Sequence, residues 1–117
     1  TGCNWEGVGG QVFDLNGQPV SDLVIRVYGL YEEQPFYANV LTGVSKSFGP
    51  GGYEYQFGSS PLTSDGEITL QVFNLAGQAL STPVSLSTWG TCEGNLMIVN
   101  FKEISWVYNA LLPFIKK

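Results

Sequence analysis

The chain has 117 residues, a net charge of −5, no histidine, 44% hydrophobic and only 13% charged residues. That length suits one domain with one core, and its five cations (Arg26, Lys46, Lys102, Lys116 and Lys117) are too scattered for nucleic acid, whose binding rests on clustered Lys and Arg. Without histidine, Ser/His/Asp and Cys/His nucleophilic arrangements and Cys/His metal clusters are excluded as well.

In chain order, Val8–Phe13 is predicted as the first strand, closed by the turn Asp14-Leu15-Asn16-Gly17. Leu23–Tyr28 follows, with Leu23, Ile25 and Val27 alternating against Val24, Arg26 and Tyr28, the period-two pattern of a half-buried strand. Tyr28, Tyr31, Phe36 and Tyr37 flank a polar loop at Glu32-Glu33-Gln34-Pro35, and a strand is predicted at Phe36–Leu41. Breakers at Gly49-Pro50-Gly51-Gly52 and Gly58-Ser59-Ser60-Pro61 bracket Tyr53–Phe57. Glu67–Phe73, where Ile68, Leu70 and Val72 alternate with Thr69, Gln71 and Phe73, precedes Val84–Thr88 and Leu96–Phe101. About seven short strands at regular spacing predict an all-β, Ig-like two-sheet antiparallel sandwich over residues 1–104, with 105–117 as a C-terminal extension.

One motif occurs twice. Gln11-Val12-Phe13-Asp14-Leu15-Asn16-Gly17-Gln18 returns as Gln71-Val72-Phe73-Asn74-Leu75-Ala76-Gly77-Gln78, and Ser21 answers to Ser81. Each copy reads as a strand, a turn with glycine at positive φ, and a second strand, so two similar hairpin-like corners are expected. Asp14-Leu15-Asn16-Gly17 also offers alternating oxygens, but the further ligands and closing glutamate of an EF-hand loop are absent, which leaves a plain Asx/Gly turn.

Cys3 and Cys92 stand at opposite ends of the domain. Paired, they close a loop of about 90 residues and contribute about 4–5 kcal/mol in the chain-entropy model; the alternative is two buried free thiols. The low charge and bracketing position favour a disulfide, hence an oxidising compartment and a secreted or cell-surface protein. No leader precedes Thr1, as in a processed exported chain, and no apolar run approaches the roughly 20 residues that span a bilayer.

The segment Gly7-Val8-Gly9-Gly10-Gln11-Val12-Phe13-Asp14-Leu15-Asn16-Gly17-Gln18-Pro19-Val20 resembles the opening G-x-V-x-D-x-x-G-x-P of carboxypeptidase-regulatory-like and transthyretin-like sandwich domains, and Gly51-Gly52-Tyr53-Glu54-Tyr55 resembles a later strand of theirs. A closer resemblance is to a secreted bacterial domain that pairs an early C-x-W, here Cys3 and Trp5, with a late C-x-x-N-L-x-x-x-N-F, here Cys92, Asn95, Leu96, Asn100 and Phe101. It spans about residues 2–103 and implies a transthyretin-like fold and export, with no activity to carry over. Leu112-Pro113-Phe114-Ile115-Lys116 is similar to a short ending found on some exported bacterial proteins.

Ten carboxylates are scattered without a spacing that singles out an acid–base pair. A serine–lysine pair with Lys46 or Lys102 stays formally open, and the first strand lacks the lysine that an isopeptide crosslink uses. No catalytic residue, cofactor or metal ligand is therefore assigned. Two readings remain. The first centres on the extension SWVYNALLPFIKK, whose apolar anchors are Trp106, Tyr108, Leu111, Leu112, Phe114 and Ile115. As a strand continuing outward it reaches roughly 43–47 Å, enough to pair with an open sheet edge of a second copy and build a head-to-tail filament. Alternatively it caps its own sandwich, covering an apolar patch, or lies on a membrane surface, for which Lys116 and Lys117 are few charges. The second reading is a carbohydrate- or surface-binding module working through exposed aromatics such as Tyr31 and Tyr37.

Overall fold

The computed structural model describes residues 3–104 and 110–116. Eight strands form two four-stranded sheets. The first carries the order β4 (Gly52–Gly58), β1 (Glu6–Phe13), β7 (Leu96–Ile104), β8 (Ala110–Lys116); the second carries β3 (Gln34–Leu41), β2 (Val24–Tyr31), β5 (Ser64–Phe73), β6 (Val84–Thr88). This is the expected sandwich, with the extension supplying an eighth strand. The alternation read from the sequence sorts the faces: Ile25, Val27, Ile68, Leu70 and Val72 meet Val8, Val12, Tyr53, Met97, Val99 and Phe101 in one core. Each such large apolar side chain contributes about 1.5–3 kcal/mol by leaving water.

One pair departs from the antiparallel expectation. β1 and β7 run parallel, with Gly7 opposite Leu96 and Val12 opposite Phe101. The first strand and the last strand of the domain thus enter the sheet from the same end, where Cys3 and Cys92 are joined by a disulfide with a Cα–Cα distance of 5.0 Å. The residues of the C-x-W and C-x-x-N-L motifs converge here. Asn95 donates its side-chain Nδ2 to the Trp5 carbonyl and accepts the Gly7 N–H on its own carbonyl. Further along, the Asn100 Oδ1 accepts the Gln11 N–H at 2.8 Å, while the buried Tyr53 hydroxyl donates to the Val99 carbonyl at 2.6 Å. The late asparagines therefore pin the parallel register from side chains, at points where the main-chain ladder is incomplete.

The repeated motif builds the same turn twice. Gln18 N–H reaches Asp14 Oδ1 at 2.9 Å and Gln78 N–H reaches Asn74 Oδ1 at 2.9 Å. Val20 N–H then returns to Val12 O and Leu80 N–H to Val72 O. Gly17 (φ 80°) and Gly77 (φ 85°) occupy the positive-φ position that side chains disfavour. The strands leaving the two turns take different courses, which corrects the expectation of two hairpin-like corners. β5 and β6 pair within the second sheet, but β1 and β2 lie in different sheets, so the first copy carries the chain across the sandwich. The second copy also recruits Ser81, whose hydroxyl accepts the Val72 N–H at 2.9 Å, whereas Ser21 is exposed.

The supposed polar loop 32–35 is a two-residue hairpin. Tyr31 pairs with Gln34 and Leu30 with Pro35, leaving Glu32 (φ 53°) and Glu33 (φ 63°) as the turn.

The extension also departs from its expected outward course. Ala110 to Lys116 pairs antiparallel with β7 of the same chain, through seven partners from Ile104 opposite Ala110 to Ile98 opposite Lys116. Pro113 stands opposite Phe101 in the edge strand of that sheet, where a missing N–H does least harm to a ladder.

Candidate functional site

Two regions stand out from the sequence, the extension and the aromatics around Tyr31 and Tyr37. In the first, Leu111, Leu112, Phe114 and Ile115 lie along β8, opposite Glu103, Lys102, Asn100 and Val99 respectively. Trp106 and Tyr108 lie outside the described residues.

The aromatics divide between two places. Tyr31 points inward and is buried; its hydroxyl lies 2.6 Å from Glu6 Oε1 and 2.9 Å from the Ser60 carbonyl. Phe36, Tyr55 and Phe57 gather beside it with ring centroids 5.8–5.9 Å apart, Phe36 and Tyr55 stacked at 6°. With Glu32, Gln34 and Pro35 they line an open cleft of about 490 Å³. Tyr31 is therefore part of the packed structure and not a free stacking surface, which corrects its pairing with Tyr37.

Tyr37 belongs to the outer face of the second sheet, where it is 62% exposed. The strand register writes this face as rows. Tyr28 stands between Tyr37 and Thr69, Arg26 between Asn39 and Gln71, and Val24 between Leu41 and Phe73. Tyr28 and Tyr37 lie 6.4 Å apart by ring centroid at 35°. The Arg26 guanidinium sits 3.9 Å from the Phe73 ring centroid and 5.3 Å from that of Tyr37. Its Nε donates to Asn39 Oδ1 at 3.2 Å, which fixes the plane of the group. Phe73, an outward residue of β5, is only 8% exposed because Arg26 covers it. Leu30 and Leu41, both exposed, extend the apolar part of the face.

The opposite outer face is built differently. On β1 two of the positions facing away from the core, Gly7 and Gly9, are glycines, and these are roofed: the Trp5 ring lies over Gly7 and the Phe48 ring over Gly9 so closely that a Cβ at either would collide. One sheet is thus partly covered by its own loops, while the other presents tyrosines, amides, hydroxyls and a guanidinium to solvent. Of these residues Tyr28, Tyr37 and the outward settings of Arg26, Gln71 and Phe73 were readable from sequence. Asn39 joins them through cross-strand register, which also decides which of these residues stand side by side.

The calcium-like segment is a turn. Asp14 Oδ1 is taken by the N–H groups of Asn16 and Gln18, both at 2.9 Å, and neutral Asn74 builds its counterpart. Among the described residues no helix is long and apolar enough to cross a membrane.

No protein-family model and no curated protein matches the sequence. Among solved structures, a similar one is the dioxygenase domain of a dioxygenase–carbohydrate-binding protein fusion from the cellulolytic bacterium Streptomyces sp. SirexAA-E. It is 12% identical, covers 95% of this chain and 77% of that chain, and superposes with a TM-score of 0.44. A likeness of that degree bears on neither activity nor ligand.

Proposed function

We propose that this chain is a non-catalytic, extracellular β-sandwich module that binds polysaccharide through the outer face of β3, β2 and β5. The observation that carries the reading is exposed Tyr37 against half-buried Tyr28, beside Arg26, Asn39 and Gln71 on the outer face of the second sheet. The apolar face of a pyranose ring stacks on a tyrosine, and its hydroxyls find amide and guanidinium donors within one row of the sheet. The Cys3–Cys92 disulfide supports an oxidising compartment. The C-x-W and C-x-x-N-L residues meeting at that disulfide fit the resemblance to a secreted transthyretin-like domain. Affinity electrophoresis through gels containing plant or bacterial polysaccharides tests the proposal. At least one polysaccharide should retard the protein, and Tyr37→Ala should weaken that binding by about tenfold. Mobility unchanged by every polysaccharide would overturn it.

A second reading, self-assembly into a filament, draws on β8. This strand pairs only with β7 at the edge of its sheet, so a β8 given to a second copy would make the same seven-partner ladder there. Reciprocal exchange closes a dimer, and head-to-tail donation builds a polymer. Sedimentation velocity across concentrations decides it: assembly predicts species heavier than 12.7 kDa, and a clean monomer at all concentrations refutes it.

A further inference from the structure

Arg26 carries a charge that the fold leaves unanswered. Ten carboxylates against five cations make an acidic partner easy to find in this chain, yet among the described residues Arg26 forms no ion pair. Its contacts are the Asn39 side-chain Oδ1 and the faces of Phe73 and Tyr37. These hold the guanidinium in place without using its two terminal nitrogens, the pair that grips a carboxylate with parallel hydrogen bonds. The surrounding rows hold Val24, Tyr28, Leu41, Tyr37, Asn39, Thr69, Gln71 and Phe73 and no carboxylate. Glu67 is the next acidic residue on β5 that alternates to this face, two rows from Gln71, roughly 13 Å along the strand. That exceeds the Debye length of about 8 Å at physiological ionic strength. At that separation Glu67 is largely screened from Arg26.

We infer that the face selects an acidic polysaccharide, one whose sugar rings carry a carboxylate, as uronic acids do. The inference rests on the polysaccharide reading above and names its substrate class. A ring stacked against Tyr37 or Tyr28 places a carboxylate on its rim one row away, at the unused edge of Arg26. The ring supplies the apolar contact, and the carboxylate supplies the partner that no protein group provides.

The test uses the whole chain and two ligands that share one sugar backbone, polygalacturonate with free carboxylates and its fully methyl-esterified form, compared by isothermal titration calorimetry. Polygalacturonate should bind about tenfold to a hundredfold tighter than the ester. Arg26→Gln, with its fold checked by circular dichroism, should remove most of that preference. Tyr37→Ala should weaken both ligands together. Equal affinity for acid and ester, a preference that survives in Arg26→Gln, or binding confined to neutral polysaccharides would overturn the inference and leave the polysaccharide module standing. A sulfated glycan bound in place of every uronate would overturn it too. Absence of binding to any polysaccharide would overturn the module reading itself.

Discussion

Glu6 has no exposure to solvent, and its Oε1 accepts from the Tyr31 hydroxyl at 2.6 Å and the Leu62 N–H at 2.8 Å. Burial lifts its pKa above the usual carboxylate value; hydrogen bonds from Tyr31 and from the Leu62 and Trp89 backbones oppose the shift without cancelling it. The Tyr31 hydroxyl has one proton and two acceptors within reach, Glu6 Oε1 and the Ser60 carbonyl, so its single proton is shared between them. Burial, then the hydrogen bond and charge of Glu6, also raise the Tyr31 pKa, which keeps the phenol neutral. A folded-state pKa above the unfolded one means that the native state holds the proton more tightly. The stabilisation is complete below about pH 4.5 and fades as pH rises through the folded value. The prediction is a chain that gains stability as pH falls through the folded value of Glu6 toward about 4.5. Denaturant titrations of the parent and Glu6→Gln at several pH values check it: the difference between the two should shrink toward acid, and a constant difference would show that Glu6 does not titrate in that window.

At the scale of elements, the β2–β3 connection is the least comfortable piece of backbone. Both residues of a two-residue turn with positive φ are asked to be left-handed, which asparagine and glycine accept and most side chains resist. Glu32 and Glu33 adopt it, bearing adjacent like charges. Replacing the pair by Asn-Gly should stabilise the domain by about 1–2 kcal/mol, read as a rise in the midpoint of chemical unfolding with unchanged slope. This turn also marks the limit of what could be read from sequence. Alternation at Leu23–Tyr28 and Ile68–Phe73 gave the strands and their inward faces, because side-chain period is a local property. The 60-residue echo of Gln11–Gln18 gave two turns that share their main-chain hydrogen bonds and the side-chain bond to Gln18 or Gln78 N–H. It did not reveal that one turn crosses between sheets, since that depends on which partners the next strand finds. The course of Ala110–Lys116 was hidden for the same reason: an apolar strand fits its own sheet edge and a neighbour's equally well. The candidate binding face was half legible: alternation set Arg26, Gln71 and Phe73 outward, while Asn39 and the rows that bring them together came from a register set elsewhere.

Across the whole molecule, the outer faces of the two sheets have opposite characters, one carrying Trp5 and Phe48 over glycines, the other open around Arg26 and Tyr37. That asymmetry gives the sandwich a direction. It also sets the parallel β1–β7 pair, closed by Cys3–Cys92, beneath the covered side. The disulfide has a mechanical meaning as well as an energetic one. Tension applied between Cys3 and Ile104 passes through the sulfur bridge to Cys92 and into β7, so residues 4–91 stay off the loaded path. β7, already fully extended, carries the load along its own backbone, and the β1–β7 ladder beside it is not sheared. Held by one end while the other bears a load, the domain would act as a short, nearly inextensible link, with its open face slack and free to hold a ligand.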